Sequence, residues 1–316
     1  MSSDGTIVTG AAGFAGSHLL DRLADDAPVI GWTRPGGRMP ADGRQVDWAA
    51  VDVRDGDAVG EAFDGTAPSR LYHLAGASHL GASWRDAAQP LRTNAMGTHH
   101  VLEAVRRSGL PCRVLVVSSA QIYGVGDDPI GEDAPLVPSS PYGLSKLAQD
   151  QLALRAVEDD GMEVLVARPF NHVGPRQSAD FAVASFARQI ARIEAGLDPP
   201  VIRVGNLDAR RDITDVRDVV EAYHCIMASG RSGRPYNICS GHAWRIGDLL
   251  EELLHLASVP VRIEVDASRF RPNDVPVIQG DAGRIRSELG WSPRTPIEQT
   301  LGDTLDWWRD EVRAGR

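Results

Sequence analysis

A glycine-rich turn near the start of the sequence constrains the possible folds more than any other feature. The apolar segment Thr6–Thr9 is typical of a short strand, and it leads directly into Gly10-Ala11-Ala12-Gly13-Phe14-Ala15-Gly16. An amphipathic stretch with leucines at positions 19, 20 and 23 follows and indicates a helix. Glycines in such a unit let the backbone turn tightly and approach a pyrophosphate at the helix amino terminus. The segment therefore predicts dinucleotide contacts from Gly10, Gly13, Phe14, Ala15 and Gly16.

Strand-like and helix-like segments alternate along the first half of the chain, which is typical of a parallel sheet. Further short apolar segments lie at 29–32, 71–74 and 164–167. The run from Arg113 to Val117 is apolar throughout, as expected of a strand that is buried on both faces. We therefore predict an α/β fold, a doubly wound parallel sheet (Rossmann type) with a smaller C-terminal substrate domain.

The residues that follow the second strand bear on the choice of cofactor. An NAD site usually has Asp or Glu at the end of this strand, to bind the ribose 2′-hydroxyl. Here Thr33-Arg34 follow instead, and the Arg34 guanidinium suits a 2′-phosphate, although an ordinary solvated arginine is the alternative. The sequence thus favours NADPH over NADH. Further cofactor contacts are predicted at Asp52 and Val53, at the end of a third strand, and at Leu74, Ala75 and Gly76 after the fourth.

The only lysine of the chain, Lys146, lies four residues after Tyr142. On a helix that begins at Pro141 these two side chains would share one face. An ammonium beside a phenol favours the phenolate, so the pair could exchange protons near neutral pH. Ser119 follows the buried strand that ends at Val117, and hydroxyls at the carboxyl ends of parallel strands face the ligand crevice. The pattern predicts a proton-transfer pair, Tyr142 and Lys146, with the hydroxyls of Ser118 and Ser119 facing the same crevice.

Composition argues against several classes of protein. The 316 residues carry a formal net charge of −10, which disfavours nucleic acid or an anionic membrane as the main partner. The three cysteines have no paired spacing, so we expect neither a disulfide framework nor a metal site. No apolar run reaches membrane-spanning length and no signal peptide is visible, so we expect a cytoplasmic protein.

In combination these motifs resemble the extended short-chain dehydrogenase/reductases, which act on nucleotide sugars. The resemblance rests on the glycine-rich turn, on Leu74-Ala75-Gly76, on 118–124 and on Tyr142-x-x-x-Lys146, and it covers essentially the whole chain. It implies that Ser119 orients the substrate carbonyl and that Tyr142 is the general acid/base. It also implies that Lys146 lowers the pKa of Tyr142 and holds the nicotinamide ribose.

The second half of the chain is similar to the GDP-sugar enzymes of the same family. This similarity rests on the segments 167–175, 204–212, 236–241 and 271–276. It implies that Asn171, Arg211, Arg271 and Asp274 hold the GDP portion of a substrate, and that Ser78, next to His79, lies on the sugar side.

The resemblance also implies how the chain is divided and assembled. A dinucleotide-binding domain would span residues 1–168 and include a later return of the chain near 213–242. A mainly substrate-binding domain would span residues 169–316. Two chains would form a homodimer through the helical segments near 94–107 and 142–157.

Gln121, two residues after Ser119, helps to separate the possible activities. Sugar-nucleotide 4,6-dehydratases place an acid at this position to eliminate water, and a glutamine cannot take up and return a proton at neutral pH. Because related reductases often keep an acid there too, Gln121 argues against a dehydratase without proving a reductase. The resemblance implies NADPH-dependent reduction of the 4-keto group of GDP-4-dehydro-6-deoxy-D-mannose, to GDP-D-rhamnose or its C4 epimer. A nucleotide-sugar 4-epimerase is the alternative, and a dehydratase or a non-catalytic dinucleotide-binding regulator is less favoured.

Overall fold

The computed structural model describes residues 5–26, 28–37, 39, 45–78, 80–124, 126, 128–270 and 275–316. The strands within these residues are β1 (Thr6–Thr9), β2 (Val29–Thr33), β3 (Val46–Ala50), β4 (Arg70–His73), β5 (Arg113–Val117), β6 (Val164–Pro169), β7 (Asn171–Val173), β8 (Val201–Val204), β9 (Arg210–Asp215), β10 (Pro235–Ile238), β11 (Ala243–Arg245), β12 (Arg262–Val265) and β13 (Val277–Ile278). The α-helices are α1 (Phe14–Arg22), α2 (Gly56–Asp64), α3 (Leu80–Ser83), α4 (Ala88–Pro90), α5 (Gly97–Ser108), α6 (Pro141–Asp160), α7 (Ala182–Glu194), α8 (Val216–Ser229), α9 (Ile246–His255), α10 (Gly283–Leu289) and α11 (Ile297–Arg313).

A seven-stranded sheet forms the centre of the molecule. Its strand order is β3-β2-β1-β4-β5-β6-β10, and every pairing in it is parallel. This is the order of a doubly wound dinucleotide-binding sheet with one further strand beyond β6. The predicted fold class is therefore confirmed. The direction of strand succession reverses between β1 and β4, and ligands of such sheets bind in the crevice at the carboxyl ends of those strands.

Helices cover both faces of this sheet, which explains why its central strands are apolar without alternation. Val114, Leu115 and Val116 of β5 are completely buried. One face packs against α1 and α8 through residues such as Leu19 and Val219, and the other packs against α2, α5 and α6.

A second core lies in the later part of the chain. Helices α7, α9 and α11 pack against each other and against a smaller sheet built around β9, which pairs with β7, β11 and β13. Trp308 on α11 is part of this core. Its ring packs edge-on against that of Trp307, with 4.8 Å between the ring centroids. The division of the chain into two domains at residue 168 stays a prediction. Among the described helices none is long and apolar enough to cross a membrane.

Two predicted boundaries near the crevice differ from the structure. Strand β3 ends at Ala50, so Asp52 and Val53 follow the strand rather than end it. The reason is a turn in which Asp52 accepts hydrogen bonds from the backbone and guanidinium of Arg54. The helix expected from residue 94 begins earlier, as a π-helical segment at Leu91–Met96 that leads into α5.

Candidate active site

The glycine-rich turn between β1 and α1 leaves no room for side chains at two of its positions. Gly10 has a φ of +67°, and a Cβ there would lie 2.8 Å from the backbone nitrogen of Ala75. A Cβ at Gly16 would lie 2.2 Å from the carbonyl oxygen of Gly10. Helix α1 begins after Gly13 and has no acidic residue in its first turn. The turn therefore fits the pyrophosphate of a dinucleotide, which favours a helix amino terminus free of negative charge.

The segment after β4 crosses the carboxyl end of β1. Its Ala75 N–H donates to Thr9 Oγ1 at 3.0 Å, and Leu74 and Ala75 are half-buried. A Cβ at Gly76 would lie 2.9 Å from Asn94 Oδ1 and 3.5 Å from Lys146 Nζ. Gly76 thus borders the predicted cofactor path and the predicted catalytic lysine at the same time.

Helix α6 brings the predicted catalytic residues to the end of β5. Ser140 caps the helix by accepting a hydrogen bond from the Gly143 N–H at 3.0 Å, and Pro141 occupies its first turn. Tyr142 follows, and its hydroxyl interacts with that of Ser119, which lies just beyond β5. The structure therefore brings Ser119 and Tyr142 close together, across 22 intervening residues of sequence.

Gly143 makes this contact possible, and sequence reasoning missed it. A Cβ at Gly143 would lie only 2.4 Å from the carbonyl oxygen of Gln121. A glycine directly after the tyrosine therefore lets the first turn of α6 rest against the short helical turn Ala120–Ile122. The only feature of the sequence that pointed to Gly143 is that it directly follows Tyr142.

Burial sets the protonation of Tyr142 in this structure. It raises the pKa of the phenol to about 12, and the hydrogen bond with Ser119 acts in the opposite direction. Tyr142 is therefore protonated at neutral pH, as a proton donor must be before it reacts. The lowering of this pKa by Lys146 stays a prediction.

Lys146 lies one helical turn after Tyr142 and is only 6% exposed. Its Nζ donates to the Val117 carbonyl oxygen at 2.9 Å and to Gln149 Oε1 at 2.7 Å. Burial lowers the pKa of the ammonium to about 7, and the charge of Asp150 opposes this shift. An ammonium has three N–H donors, so the two acceptors among the described residues leave one donor for a ligand hydroxyl.

Asn94 is a further site residue that the sequence prediction did not include. It is completely buried in the π-helical segment, where its Oδ1 accepts from the Ala77 N–H at 2.8 Å and its Nδ2 donates to Ser145 Oγ at 2.9 Å. These bonds fix the segment after β4 against α6. The available signal was a polar residue with low helix propensity inside a helical pattern.

The structure also describes Arg34, Asp52 and Val53, the cofactor contacts predicted after β2 and β3. Arg34 is exposed just after β2, and within the described residues its side chain forms no hydrogen bond or ion pair. Asp52 is paired with Arg54 at 2.6 Å, and this pairing lowers the pKa of the carboxyl group. Val53 is buried against α5, where its carbonyl oxygen contacts His100 Nδ1 at 2.9 Å.

The residues predicted to bind substrate are only partly described. Asn171 is exposed on β7, Ser78 is exposed after β4, and Arg271, Asp274 and His79 lie outside the described residues. Arg211 on β9 is buried, and its Nη1 donates to the carbonyl oxygens of Arg210 at 2.8 Å and Val275 at 2.7 Å. In this structure Arg211 therefore binds the chain at Val275, and contact of its guanidinium with a diphosphate stays a prediction.

Gln121 lies where the sequence analysis placed it, beside the Ser119–Tyr142 pair. Its backbone N–H donates to Ser119 Oγ at 3.2 Å. The side chain is half-buried and forms no hydrogen bond with any described residue. The residue whose backbone contacts Ser119 thus carries a neutral amide and not a carboxylate.

A doubly wound sheet with a glycine-rich turn after its first strand, and a Ser/Tyr/Lys group at the end of its fifth, is the arrangement of the extended short-chain dehydrogenase/reductases. The GDP-mannose 4,6 dehydratase family matches residues 7–304, and the chain belongs to that family. The predicted resemblance is thereby confirmed, and with it the class of NAD(P)-dependent oxidoreductases that act on nucleotide sugars.

Individual relatives cover nearly the whole chain. It is 37% identical over 309 residues to GDP-6-deoxy-D-mannose reductase from Pseudomonas aeruginosa, which covers 97% of each chain. It is 30% identical over 327 residues to dTDP-glucose 4,6-dehydratase from Streptomyces niveus, covering 96% of this chain and 92% of that one. The solved structure of RMD from Pseudomonas aeruginosa complexed with NADPH has a TM-score of 0.86 and 35% identity, and the match covers 98% of this chain and 100% of that one.

Proposed function

We propose that this protein catalyses the NADPH-dependent reduction of the 4-keto group of GDP-4-dehydro-6-deoxy-D-mannose. The observation that carries the choice of reduction over water elimination is Gln121, which follows Ser119 by two residues and has a neutral amide where elimination needs an acid. The 37% identity to a GDP-6-deoxy-D-mannose reductase supports the proposed substrate class, and the structural match to RMD complexed with NADPH supports the proposed cofactor.

The side chains of the site have distinct tasks in such a reduction. The Ser119 and Tyr142 hydroxyls interact with each other, so both could donate to the C4 carbonyl oxygen. When bound, NADPH supplies the hydride that C4 receives. Tyr142 then passes its proton to the developing alkoxide, and the nearby Lys146 ammonium stabilises the phenolate that remains until solvent returns a proton.

The proposed activity is tested by incubating the protein with GDP-4-dehydro-6-deoxy-D-mannose and NADPH. We expect NADPH consumption, followed at 340 nm, and one new 6-deoxyhexose whose C4 configuration is read by NMR. We expect GDP-mannose with NADP⁺ to yield no 4-keto product, because Gln121 cannot act as the acid/base of elimination.

Three further reactions distinguish the alternatives. Dehydration of GDP-mannose by the purified protein would contradict the argument from Gln121. Interconversion of two GDP-hexoses without net cofactor consumption would identify a 4-epimerase instead. A dTDP-linked 4-ketosugar turned over as fast as the GDP-linked one would remove the support for a GDP site around Asn171 and Arg211.

Arg34 supports NADPH as the preferred reductant, since its exposed guanidinium after β2 is not engaged by any described residue. We expect Arg34→Ala to raise KM for NADPH by about tenfold, the loss expected for one charge-assisted contact, and to change KM for NADH much less. Steady-state kinetics with both cofactors measures this. Arg313→Ala, at the exposed end of α11, is the matched control and should change neither constant. A wild-type protein that prefers NADH would show that Arg34 has no such role.

Exposed apolar side chains support a homodimer through the predicted helical segments. Trp84, Leu91 and Leu144 are 50%, 37% and 51% exposed and line one groove together with Pro138 and Pro141. Leu144 lies on α6, and Leu91 lies in the π-helical segment before α5. The homodimer and the cytoplasmic location remain proposals.

A further inference from the structure

A continuous chain of buried hydrogen bonds leads from the catalytic lysine to the end of β1. Lys146 Nζ donates to Gln149 Oε1 at 2.7 Å, and Gln149 Nε2 donates to Thr98 Oγ1 at 2.7 Å. Thr98 Oγ1 is 3.0 Å from His73 Nε2, and His73 Nδ1 is 2.8 Å from Thr9 Oγ1. Gln149, Thr98, His73 and Thr9 are all completely buried. Such a chain is costly unless each of its polar groups is satisfied.

The direction of each bond in the chain follows from Thr98. Its hydroxyl donates to the Asn94 carbonyl oxygen at 2.7 Å, so its oxygen must accept from both Gln149 and His73. This assigns the His73 proton to Nε2 and makes Nδ1 the acceptor of the Thr9 hydroxyl proton. The Thr9 oxygen accepts in turn from the Ala75 N–H at 3.0 Å. Every hydrogen bond in the chain therefore has an assigned donor and acceptor, and no two assignments conflict.

This orientation fixes the amide of Gln149. If the amide were turned over, its NH₂ group would face the Lys146 ammonium, and its oxygen would face a Thr98 hydroxyl whose proton is already given to Asn94. Burial, with the positive charge of Lys146 as a second cause, lowers the pKa of His73 to about 3. His73 therefore stays neutral near physiological pH, and the chain keeps the same orientation.

Within the described part of the chain, no neighbouring carboxylate is placed to accept a hydrogen bond from Lys146 as Gln149 does. Asp150, the next residue on α6, is bound by both Arg168 Nε and Nη2 at 2.9 and 2.8 Å. The charge of Asp150 favours the protonated form of Lys146, but Asp150 forms no hydrogen bond with that side chain. The other titratable groups around Lys146 are Tyr142 on α6 and the neutral His73 on β4, whereas α5 and β5 contribute only a hydroxyl and a carbonyl oxygen.

We propose that Gln149 is a positioning residue, whose amide, held by Thr98 and His73, keeps the Lys146 ammonium directed at the cofactor path beside Gly76. The proposal rests on the proposed function only in assuming that the Lys146 ammonium serves a bound cofactor. The contact between Gln149 and Lys146 is a property of the protein alone, and it can be tested without any substrate.

The sequence makes a direct test possible, because Lys146 is the only lysine in the chain. Protein grown with [¹³Cε]lysine gives one labelled side-chain signal, and its chemical shift against pH reports the titration of Lys146 in the full-length protein. In the wild type we expect a midpoint near the pKa of about 7 that burial imposes.

Two substitutions at Gln149 should move this midpoint in opposite directions. Gln149→Leu removes an acceptor from the ammonium and should lower the midpoint by about one pH unit, the shift expected for one hydrogen bond to a charged group. Gln149→Glu places a carboxylate at the same distance and should raise it by at least as much. In both variants KM for NADPH should rise, because the ammonium is held differently.

Controls separate positioning from a merely structural role. Gln189 lies on α7, and its amide also forms hydrogen bonds with backbone groups. Gln189→Leu removes this amide and should leave the Lys146 signal unchanged. If Gln149→Leu does not fold, as judged by circular dichroism, Gln149→Met keeps the length of the side chain and serves in its place. Midpoints that stay at the wild-type value, or that move in the same direction in the Leu (or Met) and Glu variants, would overturn the proposal whatever the substrate of the enzyme proves to be.

Discussion

Replacing Tyr142 with phenylalanine is expected to lower kcat for the ketosugar by about 10²–10⁴-fold, the usual contribution of general acid catalysis. The substitution keeps the aromatic ring and removes only the hydroxyl that interacts with Ser119. KM for NADPH should change little, since Lys146 and the glycine-rich turn are untouched. Stopped-flow or steady-state measurement of NADPH oxidation gives the rate, and circular dichroism checks the fold.

Tyr72 provides a matched control for this experiment. It is completely buried on β4, and its hydroxyl has no hydrogen-bond partner among the described residues. Tyr72→Phe therefore removes the same atom from a buried ring without removing a contact, and kcat should remain at the wild-type value. Near-wild-type turnover in Tyr142→Phe, or an equal loss in both variants, would show that Tyr142 is not the proton donor.

The largest expected effect on stability is at the ion pair between Asp150 and Arg168. Both side chains are buried, at 0% and 3% exposure, and two parallel bonds join them. Asp150→Asn would leave the guanidinium buried without a counter-charge, which typically costs about 3–5 kcal/mol. We expect the free energy of unfolding, measured in urea by circular dichroism, to fall by that amount.

The same helix carries an exposed ion pair that serves as the control. Arg155 and Asp159 are in contact at 2.7 Å, with side chains 64% and 49% exposed. Asp159→Asn should change the free energy of unfolding by less than about 1 kcal/mol, because water screens such a pair. Similar losses in the two variants would mean that burial does not govern the strength of the Asp150–Arg168 pair.

The sequence predicted the parts of the site that local patterns encode. The glycine turn follows from residues that are neighbours in the chain, and the pairing of Tyr142 with Lys146 follows from helical spacing. Ser119 could be placed because a buried strand ends just before it. In each case the physical requirement is visible over a few residues. The requirements are a close approach of the backbone, a shared helix face and the end of a strand.

What the sequence did not predict depends on contacts between distant segments. In the sequence, Gln149 is only a polar residue one helical turn after Lys146. Thr98, to which its amide donates, lies 51 residues away. Arg211 suggested a diphosphate ligand, yet its Nη1 donates to the carbonyl oxygen of Val275, 64 residues further on. Neither partner can be inferred from charge or periodicity, because each depends on how the packed elements meet.

The single lysine of the chain has a practical consequence for studies of its motions. A lysine-specific endoprotease has one possible cutting site, after Lys146, which would divide the chain into residues 1–146 and 147–316. That bond lies inside α6 beside a side chain that is 6% exposed, so cleavage requires the catalytic helix to open. The rate at which two fragments appear under native conditions therefore measures the local opening of α6, and its suppression by a bound dinucleotide would report how far the ligand holds the helix closed.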